Sequence, residues 1–348
     1  MQNALKLRPA PPLQTAFKDL TPVALDHWTP MWSPIADLHI LHPQSENGSN
    51  FANGYVCDGL AGMRFVSGPQ FSKRTARHAD QSGDLITIQR ITSGFIAMDF
   101  ESKAFVHRPG VIVIMDGQHA YKACAQNVVG EMVFIPRQRL GLSESVTVGP
   151  LLIEEDSAHG RMLLSEIETF FELSSTDAPG RTFSTHRLLH VMSSAIGHNN
   201  HPNSERAGWW RARNALIRKH IDSNLGDATL LPAQICNMFN LSRATLYRMF
   251  ELDGGVRRYI QDRRLIKAVW DLVENGIQRG RLTEVSEKWG FSSNANFNRA
   301  VKSNFGMPPG ALAGQHSLII PARLDQYPGA YPVYDWFTQL DGTERAAS

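Results

Sequence analysis

The sequence is poor in cysteine. Its 348 residues hold three, Cys57, Cys124 and Cys236, odd in number and far apart. That spacing excludes a disulfide-stapled scaffold and a cysteine zinc site, and it points to reduced thiols in a cytoplasmic protein. Long apolar runs are missing as well. No stretch approaches the roughly 18 residues of a membrane span. Met1–Leu20 scatters Lys, Arg and Pro where a secretory leader would carry an apolar segment. The expectation is a soluble, cytoplasmic protein with no membrane partner. Catalytic signatures are also absent: the chain has no Gly-x-Ser-x-Gly, no Gly-x4-Gly-Lys-Ser/Thr and no His-Glu-x2-His. With no nucleophile elbow, phosphate loop or metal-binding helix, an enzyme is not expected.

A large net charge is the last absence, since the formal total is only +2. That near-neutrality hides an asymmetry. Ser204 to Ala311 holds 17 Lys or Arg against 10 Asp or Glu, while the rest of the chain holds 18 against 23. One region of about a hundred residues is therefore basic, as a phosphate-binding surface must be. The length suggests two domains, and a hydrophobic content of 42% is ample for two cores.

The basic region states one pattern twice. An apolar residue and a small one, Ile235-Cys236, are followed by Asn240, Ser242, Leu246, Arg248 and Phe250. Val285-Ser286 is followed by Gly290, Ser292, Phe297, Arg299 and Val301. The offset is 50 up to the serines and 51 from Leu246 and Phe297 onward. Each copy reads as a helix-turn-helix. Asn240 and Gly290 suit a left-handed turn. Ser242, and Ser292 or Ser293, suit the N-cap of the second helix. Leu246 and Phe250 lie four apart and face inward. Arg243, Ala244, Tyr247 and Arg248 then face outward, as do Asn294, Ala295, Asn296 and Arg299 in the second copy. Arg, Asn and Ser are residue types that read base edges and phosphates in the major groove. Between the copies, Tyr259, Ile260, Leu265, Ala268, Val269 and Leu272 recur at helical spacing and predict one helix over Val256–Asn275. Twenty residues make a rod of about 30 Å, close to the roughly 34 Å of one DNA turn.

These residues resemble the DNA-binding domain of the AraC/XylS transcription regulators. The matching pieces are Leu241-Ser242-x3-Leu246-x-Arg248-x-Phe250, Tyr259-Ile260-x3-Arg264-Leu265-x2-Ala268, Val285-x4-Gly290-Phe291-x5-Phe297-x-Arg299 and Lys302-x3-Gly306-x-Pro308. The resemblance implies DNA contacts from Arg243, Ala244, Thr245, Tyr247 and Arg248 in the first unit. In the second it implies Ser293, Asn294, Ala295, Asn296 and Arg299. It further implies an activator that reads double-stranded DNA in the major groove, answers a small-molecule effector, forms a homodimer and meets RNA polymerase. Two departures stand out. Val301 replaces a usual Phe, and Ala311-Leu312 replaces an aromatic-Arg pair, which removes a helix or phosphate contact. Ala244 offers only a methyl, fit for a thymine methyl and unable to donate a hydrogen bond.

Upstream, short apolar runs alternate with turn signals. Gly54–Cys57, Gly62–Val66, Leu85–Ile91, Gly94–Phe100, Lys103–Val106, Val111–Met115, His119–Ala123 and Gly130–Ile135 predict eight strands of a barrel or sandwich. His107-Arg108-Pro109-Gly110, the apolar run to Met115, Asp116 and the later Ile135-Pro136-Arg137 resemble the cupin-like sensor domain of the same regulators, over about residues 51–145. Metal-binding cupins carry His-x-His, a Glu and a later His. Here His78, His107 and His119 stand well apart, so neither a metal nor a cofactor is expected. An organic effector fits a barrel interior better. Trp28, Trp32 and Arg90 are candidates to touch an acidic or aromatic one, and packing roles are the plainer reading for each.

Two helical stripes follow at about 159–197: Met162, Leu163, Ile167, Phe170 and Phe171, then Leu188, Leu189, Met192, Ala195 and Ile196. They either cover the open face of the barrel or form a dimer interface. The expected organisation is α+β. It comprises an N-terminal arm and sensor region at 1–200, a linker at 198–208, and an all-α DNA-binding domain at 209–313. That domain places its helix-turn-helix units at about 232–253 and 282–305, ahead of a proline- and aromatic-rich tail at 314–348. Two other classes fit less well, a ligand-independent DNA-binding regulator and a cupin enzyme fused to a DNA-binding module.

Overall fold

The computed structural model describes residues 20–22, 25–40, 50–82, 84–100, 103–143, 146, 148–174, 181–200, 205–251, 253–276, 278–305 and 308–310. The tail 314–348, most of the polar loop from Gln44, the Ala178-Pro179-Gly180 turn and linker residues 201–204 lie outside them. In chain order the elements begin with β1 (Thr21–Pro22), α1 (Leu25–Trp32), β2 (Asp37–Ile40), β3 (Phe51–Cys57), β4 (Leu60–Ser67), β5 (Gln70–Arg74) and α2 (Ala76–Ser82). Next come β6 (Leu85–Phe100), β7 (Lys103–His107), β8 (Val111–Asp116), β9 (Tyr121–Pro136), a 3-10 turn at Arg137–Leu140 and β10 (Leu151–Glu154). Helices follow: α3 (Ala158–Ser174), α4 (Arg181–Asn200), α5 (Glu205–Ser223), α6 (Pro232–Met238), α7 (Arg243–Met249), α8 (Val256–Asn275), α9 (Arg281–Lys288) and α10 (Asn294–Phe305). The chain divides into two units. One comprises residues 1–96, 107–201 and 319–348, and the other 97–106 and 202–318.

In the first unit the strands form one sheet in the order β1-β3-β4-β9-β6-β8-β10, with β5 joining β2 to β9; the end of β6 and nearly all of β7, which pairs with β6, are counted in the second unit. Its hub is β9, sixteen residues long. Along β9, Ser67 of β4 faces Val128, and Gln70 of β5 faces Ala125. The Asp58-Gly59 turn between β3 and β4 has positive φ at both residues, 47° and 74°, the geometry a two-residue hairpin favours.

Two expectations are corrected here. Leu85–Ile91 and Gly94–Phe100 are one strand, β6. His119–Ala123 and Gly130–Ile135 become β9 as a single piece running from Tyr121. Gly94 and Gly130, which read as turn signals, instead mark close approach of neighbouring backbones. A Cβ at Gly94 would lie 2.3 Å from the Asn127 carbonyl oxygen, and one at Gly130 2.6 Å from that of Arg90. Strands β1, β2, β5 and β10 escaped the sequence reading because they are short, none longer than the five residues of β5.

Strand β8 is buried along its whole length. Ile86, Ile88, Ile112, Ile114, Val133 and Ile135 supply one wall of a core whose other wall is Leu163, Ile167, Phe170 and Phe171 of α3 with Leu188, Met192, Ala195 and Ile196 of α4. The apolar stripes of both helices are thus spent on the sheet, and of the residues read into them only Met162 faces outward, at 52% exposure. Trp28 is fully buried and donates from its indole nitrogen to Gln70 at 2.8 Å, while Trp32 stacks edge-on against Trp28 and Phe65. Arg90 is engaged by three carboxylates, those of Glu155 at 3.1 Å and of Glu131 and Glu168 at 3.4 Å each. An acidic ligand would have to displace one of them.

Candidate nucleic-acid interface

The second unit builds each reading helix from capping chemistry upward. Pro232 opens α6, where its missing N–H costs nothing, and the Gln234 side chain accepts from the Leu231 N–H at 3.1 Å. The chain then turns through Asn240 at φ 46°. Ser242 caps α7, its hydroxyl oxygen accepting from the Thr245 N–H at 3.1 Å. In the second copy Gly290 turns the chain at φ 70°, and a Cβ there would fall 2.8 Å from the Leu225 carbonyl and 3.0 Å from the Arg264 guanidinium. Of the two candidate caps, Ser293 does the work, its hydroxyl accepting from the Asn296 N–H at 3.2 Å.

Below these helices lies a shared frame. Leu246 and Phe250 are fully buried with Ile217, Ile221, Ile235 and Tyr259. The Arg218 guanidinium lies over the adjacent rings of Phe250 and Tyr259, 4.7 Å from each centroid, and pairs with Asp253 at 2.5 Å. Arg213 of α5 donates to the Phe239 carbonyl and, at 3.3 Å, to that of Asn240, which holds the first turn from below. Phe297 and Val301 are buried on α10, so a valine fills the place where Phe is usual.

The second copy hangs from α8 through Asp271. This nearly buried carboxylate receives Arg281 at 2.5 Å, Lys288 at 2.6 Å and the Trp289 indole N–H at 3.1 Å. Burial pushes its acidity toward the neutral form. Hydrogen bonds from Lys288 and Trp289, with the charges of Lys288 and Arg281, outweigh that and hold the carboxyl below the ordinary carboxylate value. The sequence reading missed this anchor. Its available signal was an acid set inside the apolar run Val269-Trp270-Asp271-Leu272.

What remains facing outward is a row on each helix. On α7, Arg243, Ala244 and Arg248 are exposed, and Thr245 and Tyr247 are half-buried. Tyr247 packs against the core below, and Arg243 lies 5.9 Å from its ring centroid. On α10, Ser293, Ala295, Asn296 and Arg299 are exposed, and Arg299 donates to the Asn296 side-chain oxygen. Asn294 differs from its neighbours. It accepts from the Ser286 hydroxyl and donates to the Thr283 hydroxyl at 2.7 Å, so both ends of its amide are tied to α9. The arrangement offers hydrogen-bond donors and a methyl, with no nucleophile–base pair.

The three histidines weighed as metal ligands are spread over the sheet unit. His78 Nδ1 meets Thr75, and the His107 ring meets the Val111 carbonyl at 2.9 Å. Among the described residues no three His, Cys, Asp or Glu side chains gather in a metal-holding group, and no helix is long and apolar enough to cross a membrane.

Comparison with known proteins adds to this geometry. A family described as "Helix-turn-helix domain" matches residues 235–315. The transcriptional activator NphR from a Rhodococcus species is 28% identical over 104 residues, 30% of this chain and 30% of that protein's length. The chain thus spans under a third of the curated relative it matches. Among solved structures, the AraC-like transcriptional activator CuxR aligns with 70% of this chain and 90% of its own, at 19% identity and a TM-score of 0.41. ToxT from Vibrio cholerae O395 aligns with 77% of this chain and 99% of its own, at 14% identity and a TM-score of 0.27. The family match over residues 235–315 falls on the two capped helices and the rod between them, and this part of the chain is similar to a helix-turn-helix domain.

Proposed function

We propose that the whole chain is a sequence-specific DNA-binding transcription regulator, an activator in which the sheet unit is a cupin-like sensor for a small organic effector. The observation that carries this reading is the pair of outward rows, Arg243, Ala244 and Arg248 on α7 and Ser293, Ala295, Asn296 and Arg299 on α10. Each row stands on a serine-capped helix, and each belongs to a copy that packs on α8. The intervening rod of twenty residues spans about 30 Å, which suits two major-groove contacts roughly one turn apart. The excess of Lys and Arg over the same region supplies the phosphate attraction.

Thr245, Tyr247 and Asn294 complete the DNA-contact set of this reading, and Asn294 also ties α10 to α9. The chain works as a homodimer with RNA polymerase as its downstream partner, in the cytoplasm, without a cofactor and without catalysis. Support for the dimer is the family resemblance, since the inner stripes of α3 and α4 are already covered by the sheet.

The test is selection of double-stranded sites from a random pool by the full chain, followed by titration. A consensus with two contacted segments about one turn apart supports the proposal, and recovery of no consensus overturns it. A thermal-shift screen of small organic acids, sugars and aromatics tests the sensor. A true effector at a hundred times its dissociation constant adds about 2.7 kcal/mol of stability, and a screen with no stabilising compound at any concentration counts against an effector of these classes.

A further inference from the structure

The second unit contains ten residues from far upstream. Ala97–Val106 belong to it, although β6, the strand that carries Asp99, begins at Leu85. Asp99 meets two cations of α8. Its Oδ1 accepts from Arg263 Nη2 at 3.1 Å, and its Oδ2 accepts from Lys267 Nζ. Arg263 is 1% exposed, and its Nε is held by Asp222 of α5 at 2.8 Å. A guanidinium so buried needs its partners, because an uncompensated buried charge is strongly destabilising.

The face of α8 that Asp99 touches is defined by spacing. Arg263, Ile266, Lys267 and Trp270 recur at three- and four-residue steps and form one stripe. Ile266 and Trp270 are 3% and 4% exposed. On the hairpin, Met98, Phe100 and Phe105 are 2–3% exposed. Arg264, the next residue along α8, donates to the Leu225 carbonyl at 2.8 Å, and a Cβ on Gly290 would press on its guanidinium. One turn of α8 therefore carries both the hairpin's anchor and the seat of the second helix-turn-helix. Asp271, which holds α9, lies two turns further on.

We propose that Asp99 is a positioning residue for DNA reading: the hairpin braces α8 through Arg263 and Lys267 and so sets the spacing between α7 and α10. This inference rests on the DNA-binding reading above. It makes the reading unit discontinuous in sequence, and it makes DNA affinity answer to the end of β6 that carries Asp99. Neither Asp99 nor Lys267 touches DNA in this scheme. Their effect falls on the complete site, where both reading helices must engage at once.

The experiment uses the full chain as wild type, Asp99→Asn, Asp99→Lys and the charge swap Asp99→Lys with Lys267→Asp. The probes are the duplex selected by the wild-type protein, the same duplex with one base pair inserted between its two contacted segments, and duplexes keeping one segment only. For each protein the melting temperature and the affinity for each duplex are measured. Asp99→Asn is expected to bind the complete site about tenfold more weakly, to bind each single segment within about twofold of wild type, and to lose the preference against the inserted base pair. Asp99→Lys should do the same more severely, and the charge swap should recover spacing preference in part, because it restores the pair with position 267 and leaves a cation facing Arg263. If Asp99→Asn keeps wild-type affinity and spacing preference, the proposal fails. It also fails if every variant's loss follows its melting temperature and is equal on all duplexes. If Asp99→Lys does not fold, Asp99→Asn and the swap still decide. A wild-type chain that selects no duplex overturns the DNA-binding reading itself, which is a different result.

Discussion

Arg137 donates to the Asp116 carboxylate at 2.5 Å, with side-chain exposures of 1% and 0%. In the sequence these are separate fragments, the acid ending one apolar strand and the arginine of Ile135-Pro136-Arg137. In the fold they tie the end of β8 to the end of β9. The same carboxylate oxygen accepts from the Val148 N–H at 3.0 Å, and Arg137 also donates to the Val146 carbonyl at 2.6 Å. Removing one member strands the other. Arg137→Ala is expected to cost about 3–5 kcal/mol, and Arg137→Met with Asp116→Leu less than either single change. Denaturant unfolding of the three proteins checks the ordering. A loss in the double variant equal to the sum of the two single losses would mean the pair is not coupled.

Phe250 and Arg248, two residues apart, separate packing from the proposed reading of DNA. Phe250 is fully buried, 5.0 Å from the Tyr259 ring centroid and under Arg218. Phe250→Ala should destabilise the second unit by about 3–5 kcal/mol, through lost transfer energy and the cavity left behind. Arg248 is exposed on α7, so Arg248→Ala should leave stability within about 0.5 kcal/mol. It should cost roughly 1–3 kcal/mol on the selected duplex if it reads a guanine, and fall equally on selected and random DNA if it meets phosphate. Melting curves and titrations on both DNAs decide. Wild-type binding by Arg248→Ala on both would remove α7 from the groove.

Salt should act steeply on binding by the full chain. Each phosphate neutralised by Arg243, Arg248, Arg299 or a neighbouring cation contributes about −0.9 to the slope of log affinity against log salt. Arg299→Ala should make the slope shallower by about one if that residue meets phosphate. Anisotropy titrations across a salt series measure it, and a wild-type slope near zero would argue against a DNA partner.

The sheet unit should lose stability in mild acid through His107. The imidazole is buried, and its Nε2 must carry the proton because its partner, the Val111 carbonyl, only accepts. Burial, opposed by that hydrogen bond, depresses its pKa from 6.5 to about 4. The unfolded chain therefore takes up the proton first as pH falls. Stability from the neutral ring is complete above about pH 6.5, declines as pH drops toward about 4, and loses nothing further below. The linkage amounts to about 3 kcal/mol over that window. His107→Gln keeps a donor for Val111 and should unfold with a flatter pH profile between these limits. Parallel wild-type and variant profiles would refute a neutral buried ring.

Asp271 titrates in the same direction from a different cause. Its carboxyl is held below the ordinary value by Lys288, Trp289 and Arg281. The stability it lends is present above about pH 4 and disappears as pH falls through the depressed value. Asp271→Asn should lower the melting temperature of the second unit at neutral pH and narrow the difference from wild type below pH 4. A constant difference down to pH 2 would show that charge is not what anchors α9.

The helices of the second unit were legible in the sequence because their determinants are local. A cap is a hydroxyl beside the N–H three residues on, as at Ser242 and Thr245. A left-handed turn needs Asn or Gly at one position, as at Asn240 and Gly290. A helix such as Val256–Asn275 declares itself through the period of its own apolar residues. The strands were legible in position and less so in extent, because Gly94 and Gly130 look alike whether the chain turns or another backbone passes close by. Partnerships over long separations were decided by tertiary structure alone. Nothing near Asp99 announces Arg263, 164 residues away, and nothing near Asp116 announces Arg137. Charged side chains carry no periodic signature of their partners, and only the folded chain brings them within a hydrogen bond's reach.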